Sequence, residues 1–592
     1  MRKTMFLLLL VLFATSAFSQ YRNVKINSTA REDGQNVVFN SVINLPPKMN
    51  NVMSYPGEIP NTSTFWDYQT NGSSLNVLMV FGDTILFCYG SCDSTDPTGA
   101  TTRMANLVIS VNGGVNWTDP MPVQTLPTRA AYPELRKIYL TGNNPSVMLS
   151  GRNYNGSNSR GGAWVDAFFG LGSFSSTYVM QEGRDYFGDL ISGSLYGGAF
   201  SVPPSADYDS LFFCKFNYNT NTYSGKILIA GPPNGIKNNV RYRFASDGGN
   251  NGIVMWYDNT VPAYAMRYKL TTDGGTTFGT TQAMQVAFGQ NGVINGDTCS
   301  PWFGIDAAYK PGTTNFGAVY STLFPTASGQ SAGDPQGCKI LFYSPTVNGG
   351  VPVEAAGKIN MDIISNPSLF NTMAALQVGV TPLSHPSIAY SSDGSRIVIA
   401  FSAYQPGDSL DGFNYNDIYI TYSDNGGLNW AAPVNLTNTH TWDELYPVLS
   451  ETGNTSGQFT VKYQVTKGPG AQSFNNNAPT YRVYHVLKKF NPANIGVREV
   501  NNSVPAKYSL NQNYPNPFNP TTTIRFDVPK SSFVTLNVYD ITGKLVETLV
   551  EENLSAGSKE VSFNASRLSS GVYFYKLTAD NFQSTKKMIL VK

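Results

Sequence analysis

The chain has 592 residues, 40 basic against 39 acidic side chains for a net charge of +1, and only 13% charged residues. That balance argues against a nucleic-acid binder, which carries a basic excess, and against electrostatic attachment to a membrane surface. The length exceeds one ordinary domain unless a closed repeat organises it. The 13% aromatic content, with 55 glycines and 35 prolines, fits an all-β extracellular protein of short strands and tight turns.

The sequence opens Met1-Arg2-Lys3, runs apolar from Met5 to Phe13 and continues Ala14-Thr15-Ser16-Ala17-Phe18-Ser19. A basic start, a short apolar run and an Ala-x-Ser step make up a secretory signal peptide, so residues 1–19 are expected to be cleaved between Ser19 and Gln20. The run falls short of the roughly 20 apolar residues a bilayer-spanning helix needs, and no other stretch reaches that length. No transmembrane segment is expected.

A propeller domain is expected over 20–495, because the region from about 50 to 490 has almost no helical periodicity and instead reads as successive short strands, such as Leu75–Phe81, Ile85–Tyr89, Ile253–Tyr257, Arg396–Ser402 and Asp417–Tyr422. Three turns share the pattern [Ser/Thr]-x-[Asp/Asn]-Gly-Gly-x-x-aromatic: Ser110 to Trp117, Thr271 to Phe278 and Ser423 to Trp430. A hydroxyl and a short Asx side chain can bond turn backbone, while glycine accepts positive φ. A second motif follows the turns. Tyr132-Pro133-Glu134-Leu135 and Tyr446-Pro447-Val448-Leu449 come after the first and third, His385-Pro386-Ser387-Ile388 opens the unit before Tyr446, and Ser300-Pro301-Trp302-Phe303 is the expected counterpart after Phe278. The spacing from His385 to Tyr446, carried across the region, predicts a β-propeller of six to eight blades, about seven.

The turn pattern resembles the Asp-box of sialidase-like propellers, with Asn in place of Asp in two of the three copies. The resemblance implies that each box joins the last two strands of a blade, away from any active face. It also suggests an exo-acting glycoside hydrolase of sialidase type, which would need three arginines for a carboxylated sugar, an aspartate acid/base and a Tyr–Glu nucleophile pair. The Phe/Tyr-Arg-Ile-Pro motif of that family is absent. Arg31, Arg103, Arg129, Arg152, Arg160 and Arg241 stand in no recognisable context.

General glycosidases need two carboxylates flanking the sugar. Asp67, Glu134, Asp443 and Glu444 are the candidates, since acids beside aromatics suit sugar stacking, although turn-capping acids beside packing aromatics would look the same. No Gly-x-Ser-x-Gly elbow occurs, and His385, filling the slot tyrosine holds in other repeats, reads as packing. Of five cysteines, Cys88 with Cys92, or Cys299 with Cys338, could pair after export, while Cys214 in an apolar strand reads as a buried thiol. No metal-ligand spacing and no cofactor motif is present. The residues favour a non-catalytic propeller binding a polysaccharide or a surface protein.

A linker is expected over 496–507 and an Ig-like β-sandwich over 508–592. Asn513-Tyr514-Pro515-Asn516-Pro517-Phe518-Asn519-Pro520 cannot lie inside a helix or central strand, and alternating segments follow it, with a turn at Asp540 to Lys544. The runs YSLNQNYPNPFNPTTTIRFDVP, VTLNVYDITGKLVETLV, LSSGVYFYKLTA and KKMILVK resemble the type IX secretion sorting domain of Bacteroidetes-like bacteria. The resemblance assigns recognition by the type IX translocon to this tail, carried by Tyr514, Pro515, Pro517, Phe518, Pro520, Gly543, Gly571, Lys587 and Met588. It implies an extracellular or outer-membrane surface location.

Overall fold

The computed structural model describes residues 55–591 apart from interruptions, the longest at 66–74, 203–209, 232–240, 362–380 and 470–480, together with backbone strands between Arg22 and Leu45. Ser19, Gln20, Asp67 and Pro520 lie outside the described residues. The chain divides into two compact units, residues 1–433 with 437–489, and residues 434–436 with 490–592.

The first unit is a succession of antiparallel sheets in which chain order equals spatial order. Among the described residues seven follow one another, opening with strands Leu78–Phe81, Arg129–Leu140, Arg184–Ile191, Tyr242–Ser246, Ser300–Tyr309, Leu383–Tyr390 and Asp443–Leu449. From sheet two to sheet seven each opening strand lies against the opening strand of the next sheet, and Phe459–Thr466 of sheet seven returns to Leu78–Phe81 of sheet one. The sheets therefore form a closed ring, a β-propeller with the opening strands innermost. An inner strand has neighbours on both faces, which is why every residue of Leu383–Tyr390 is buried.

The N-terminal stretch completes the last sheet. Ile59 donates its N–H to the His485 carbonyl at 2.7 Å, and Val483 donates to the Thr64 carbonyl at 2.7 Å, so residues 58–64 run antiparallel to the outer strand Tyr484–Phe490. Joining the two ends of the ring removes the open edges that exposed strands would present.

The recurrent Tyr-Pro motif is a bulge in the inner strand. Tyr132, Asp185, Gly304, His385 and Tyr446 all have left-handed φ, and the register of their strands shifts at each. Proline after the bulged residue removes no ladder bond there. The counterpart expected at Ser300-Pro301 is displaced: the bulge of sheet five sits at Gly304, four residues after Ser300, where glycine takes the positive φ that tyrosine or histidine adopts elsewhere.

A positional rule follows from the bulge. The side chain two residues beyond it accepts the backbone N–H three residues beyond the bulge of the next sheet. Glu134 accepts from Gly188 at 2.8 Å, Asp306 from Ile388 at 3.0 Å and Ser387 from Leu449 at 3.1 Å. Neighbouring inner strands are thereby fixed in height.

The second unit holds two four-stranded antiparallel sheets around one core that includes Phe518, Ile524, Phe526, Leu536, Tyr575 and Met588. Burial alternates along Ser532–Tyr539, as a half-buried strand requires. Residues 498–501, within the stretch expected to be a linker, form a strand paired with Gly557–Asn564, so the sheet begins earlier than the alternation suggested. Tyr514 is 82% exposed while Phe518 and Met588 are buried, and Phe518 exchanges backbone bonds with Ile589 and Val591 at 3.0 Å each. The Asp540 carboxylate accepts from the Thr542 and Lys544 amides, closing the turn in which Gly543 has φ +82°. Lys587 offers its carbonyl to Gln512 at 2.7 Å, and Gly571 opens the strand Gly571–Ala579.

Candidate functional site

In a four-strand meander the crossings into each inner strand and the hairpins between second and third strands share one end, here termed the upper face. The turns that follow third strands lie at the lower face. Ser110–Trp117, Thr271–Phe278 and Ser423–Trp430 directly follow the third strands of sheets one, four and six, which puts them on the lower face. Their geometry repeats. The first hydroxyl accepts the second glycine N–H at 2.9, 3.0 and 2.9 Å, and the Asx oxygen accepts an N–H four residues on at 2.8, 2.9 and 3.0 Å. Trp117 and Trp430 each return an indole N–H to that glycine's carbonyl at 3.0 Å. These bonds close the turn on itself, so the motif is structural.

The upper face gathers two clusters of opposite character. On sheets one and two, Arg103, Arg129 and Arg152 converge on two tyrosines. Arg129 lies 4.5 Å and Arg103 5.5 Å from the Tyr154 ring, Arg152 lies 5.0 Å from the Tyr132 ring, and Arg103 donates to the Tyr154 hydroxyl at 2.9 Å. Asp185, entering sheet three, accepts Arg152 Nε at 2.6 Å and pairs with its Nη2 as well. Burial opposes the Arg152 charge, but Asp185 outweighs it and holds the guanidinium above its ordinary pKa.

On sheets six and seven the cluster is acidic. Asp443 accepts the Asn416 amide at 2.8 Å and its side-chain amide at 2.9 Å. Glu444 Oε1 accepts the Tyr55 hydroxyl at 3.0 Å and the Thr439 hydroxyl at 2.7 Å, and the Asp417 carboxylate takes the Thr439 N–H at 3.2 Å. Burial first, and Asp417 second, raise the Glu444 pKa well above its ordinary value. Tyr55 is pushed up by burial and by Tyr463 and Glu444, and stays a neutral phenol. Its ring meets Trp442 edge-on at 5.1 Å.

The four carboxylate candidates separate. Asp443 and Glu444 stand in the acidic cluster, and Asp67 lies outside the described residues. Glu134 is inside the ring, fully buried, accepting Asn76 N–H at 3.1 Å and Gly188 N–H and paired with Arg243. It occupies the bulge-plus-two position and ties strands together. It belongs to a network along the axis: Arg243 pairs also with Asp306 at 3.3 Å and Glu451 at 3.5 Å, and Arg136 pairs with Asp189 at 2.9 Å and Glu451 at 3.4 Å. His385 packs edge-on against Tyr446 at 4.5 Å, and burial lowers its pKa to about 3, so it stays neutral. All five cysteines are buried, Cys88 donating to the Pro133 carbonyl at 3.5 Å. Among the described residues no group of three or more His, Cys, Asp or Glu side chains could hold a metal ion.

Tyr55 and Asp417 had no sequence signal, because Tyr55 meets Glu444 only through ring closure across 389 residues. Arg103, Arg129 and Arg152 were visible as residues but not as a group.

Residues 512–592 match the secretion system C-terminal sorting domain. The tail is thus a sorting domain of the type IX pathway, and the chain is addressed to the cell surface or the extracellular space. No helix among the described residues is long and apolar enough to cross a membrane. A search of curated proteins gave no match. Among solved structures, the chain is similar to a PL25 ulvan lyase, a polysaccharide lyase, bound to a GlcA(1-4)Rha3S ligand, at 8% identity over 74% of this chain and 96% of that one, TM-score 0.46. It is similar to a protein of unknown function from Dyadobacter fermentans at 12% identity over 62% and 100%, TM-score 0.34. It is similar to the NanB sialidase of Streptococcus pneumoniae at 9% identity over 72% and 70%, TM-score 0.34.

Proposed function

We propose that this chain is a secreted, type IX-exported propeller of seven blades whose upper face binds an anionic glycan. The single observation carrying this reading is the convergence of Arg103, Arg129 and Arg152 on the rings of Tyr132 and Tyr154. Guanidinium groups pair with carboxylate or sulfate oxygens, and an adjacent aromatic ring offers an apolar face to a sugar. Arg152 is anchored by Asp185 and sets the geometry, while Arg129, half-buried at the start of its strand, is the contact residue. In this reading the signal peptide ends at Ser19–Gln20 and the tail folds as an Ig-like sandwich that engages the type IX translocon.

A second reading rests on the hydrogen-bonded Tyr55–Glu444 pair with Asp417 beside it. A phenol donating to a glutamate is the nucleophile arrangement of sialidase-like enzymes, in which the glutamate draws the proton from the phenol. An exo-acting hydrolase of acidic sugars would use both clusters.

The test is a glycan array and a fluorogenic sialoside assay on purified mature protein with its Arg129→Ala and Glu444→Gln variants. Binding of uronate, sulfated or sialylated glycans that R129A weakens at least tenfold supports the first reading. Turnover lost in E444Q supports the second. No preference for anionic over neutral glycans sinks both. Deletion of residues 508–592 should leave the protein in the periplasm, and its normal appearance at the surface would overturn the export route.

A further inference from the structure

A cluster away from the upper-face arginines and acids has the composition of a covalent crosslink. Lys339 directly precedes the strand Ile340–Tyr343 of sheet five, and Glu354 lies on the neighbouring strand Val353–Ala356. Asp297 lies on the short hairpin of Val293–Ile294 with Asp297–Thr298, in the connection that leads into the inner strand of the same sheet. The Lys339 side chain is fully buried, with Nζ 2.7 Å from Glu354 Oε2 and 2.9 Å from Asp297 Oδ2. The Glu354 side chain is fully buried and Asp297 is 10% exposed. Asn295 donates its side-chain amide to the same Glu354 oxygen at 2.9 Å, and Lys358 approaches the other Asp297 oxygen at 3.5 Å. Flanking residues Ile294, Cys299, Cys338 and Leu341 are buried and apolar.

Three charges taken out of water into such surroundings carry a large desolvation cost, and an amine and a carboxylic acid lose theirs when they become an amide. Amine and carboxyl held at contact distance gain the effective concentration of an intramolecular reaction. A second carboxylate touching the amine supplies the base that such a condensation needs.

We propose that Lys339 and Asp297 form an intramolecular isopeptide bond, with Glu354 moving the protons. Glu354 takes a proton from the Lys339 ammonium and passes it to the Asp297 carboxylate. The Nζ lone pair then attacks Asp297 Cγ and a C–N bond forms. Glu354 removes a second proton from nitrogen and delivers it to the departing hydroxyl, so the C–O bond breaks and water leaves. Glu354 ends as a carboxylate, one proton remains on the amide nitrogen, and nothing is oxidised or reduced. The bond staples an upper-face connection to the sheet beneath it.

Mass spectrometry of the purified mature chain decides the matter. The expected result is an intact mass short by one water, with tryptic cleavage absent after Lys339 and a Leu270–Lys358 peptide carrying the deficit. Glu354→Gln should restore both the full mass and the cleavage, and circular dichroism checks that the variant is folded. Lys339→Arg must abolish the deficit. A full-mass native chain overturns the proposal. So does a water deficit with cleavage after Lys339 intact, which a succinimide would give. Loss of ammonia instead of water would place the bond on Asn295 and overturn the assignment to Asp297, and a crosslink that survives in E354Q would overturn the role of Glu354.

Discussion

Replacing Arg243 by methionine tests whether the axial charge network holds the ring together. Arg243 is fully buried and pairs with Glu134, Asp306 and Glu451, the first two of them also buried. Breaking a buried pair by removing one partner costs about 3–5 kcal/mol, because an uncompensated charge remains. Other donors soften the loss here. Glu134 keeps its bonds from Asn76, Gly188 and Tyr196, and Asp306 keeps those from Ile388, Ala307 and Ser387. The expected cost therefore sits at the lower end, about 3 kcal/mol, which is roughly a hundredfold in the unfolding equilibrium. Urea unfolding followed by tryptophan fluorescence reads it, since Trp164 and Trp256 are buried in this unit. The gap between R243M and the native chain should narrow at low pH, where the orphaned acids take up protons. The double variant R243M with Glu134→Gln should recover part of the loss. A cost under about 1 kcal/mol, or a double variant no more stable than the single one, would refute the pairing argument.

Asp306 and Glu451 should each contribute stability that is lost as pH rises. Burial raises Asp306 from 3.8 to about 6 and Glu451 from 4.5 to about 7, so across that window the folded state binds more protons than the unfolded state. A difference in urea midpoint between the native chain and Glu451→Gln that stays constant from pH 5 to pH 8 would contradict this. Lys462 is a buried cation whose pKa burial lowers from 10.5 to about 7, so its contribution is present at high pH and lost as pH falls through 7. Lys462→Met should accordingly stabilise the protein at pH 6, with the gain shrinking towards pH 10, and equal midpoints at pH 6 would count against it. In the third repeated turn, Gly426→Ala should cost about 1 kcal/mol for its left-handed φ with open space around it. Gly427→Ala should cost more, because a Cβ there would overlap the ring of the buried Phe342. Equal thermal shifts for the two would undo that distinction.

Local chemistry made much of this protein legible in its sequence. The lower-face turns need a hydroxyl, an Asx oxygen and two glycines within five residues, so Ser423 to Gly427 carries its own instructions. The tail is likewise a contiguous run that can be read as text. The Tyr-Pro bulges were half legible: proline marked three of them, but sheet five places its bulge at Gly304 and sheet three at Asp185, neither with a Tyr-Pro or His-Pro pair. The inter-sheet rule was hidden because Glu134, Asp306 and Ser387 do the same work with different side chains, any of which accepts an N–H. The upper face was decided by ring closure alone. Arg103 and Arg152, from adjacent sheets, share the Tyr154 hydroxyl, Tyr55 reaches Glu444 from the far end of the chain, and Glu134 is buried inside the ring. Sequence fixes what a turn or strand does with its own neighbours. Which charges meet is set by the closed ring, where burial and pairing are properties of position around an axis that no local pattern encodes.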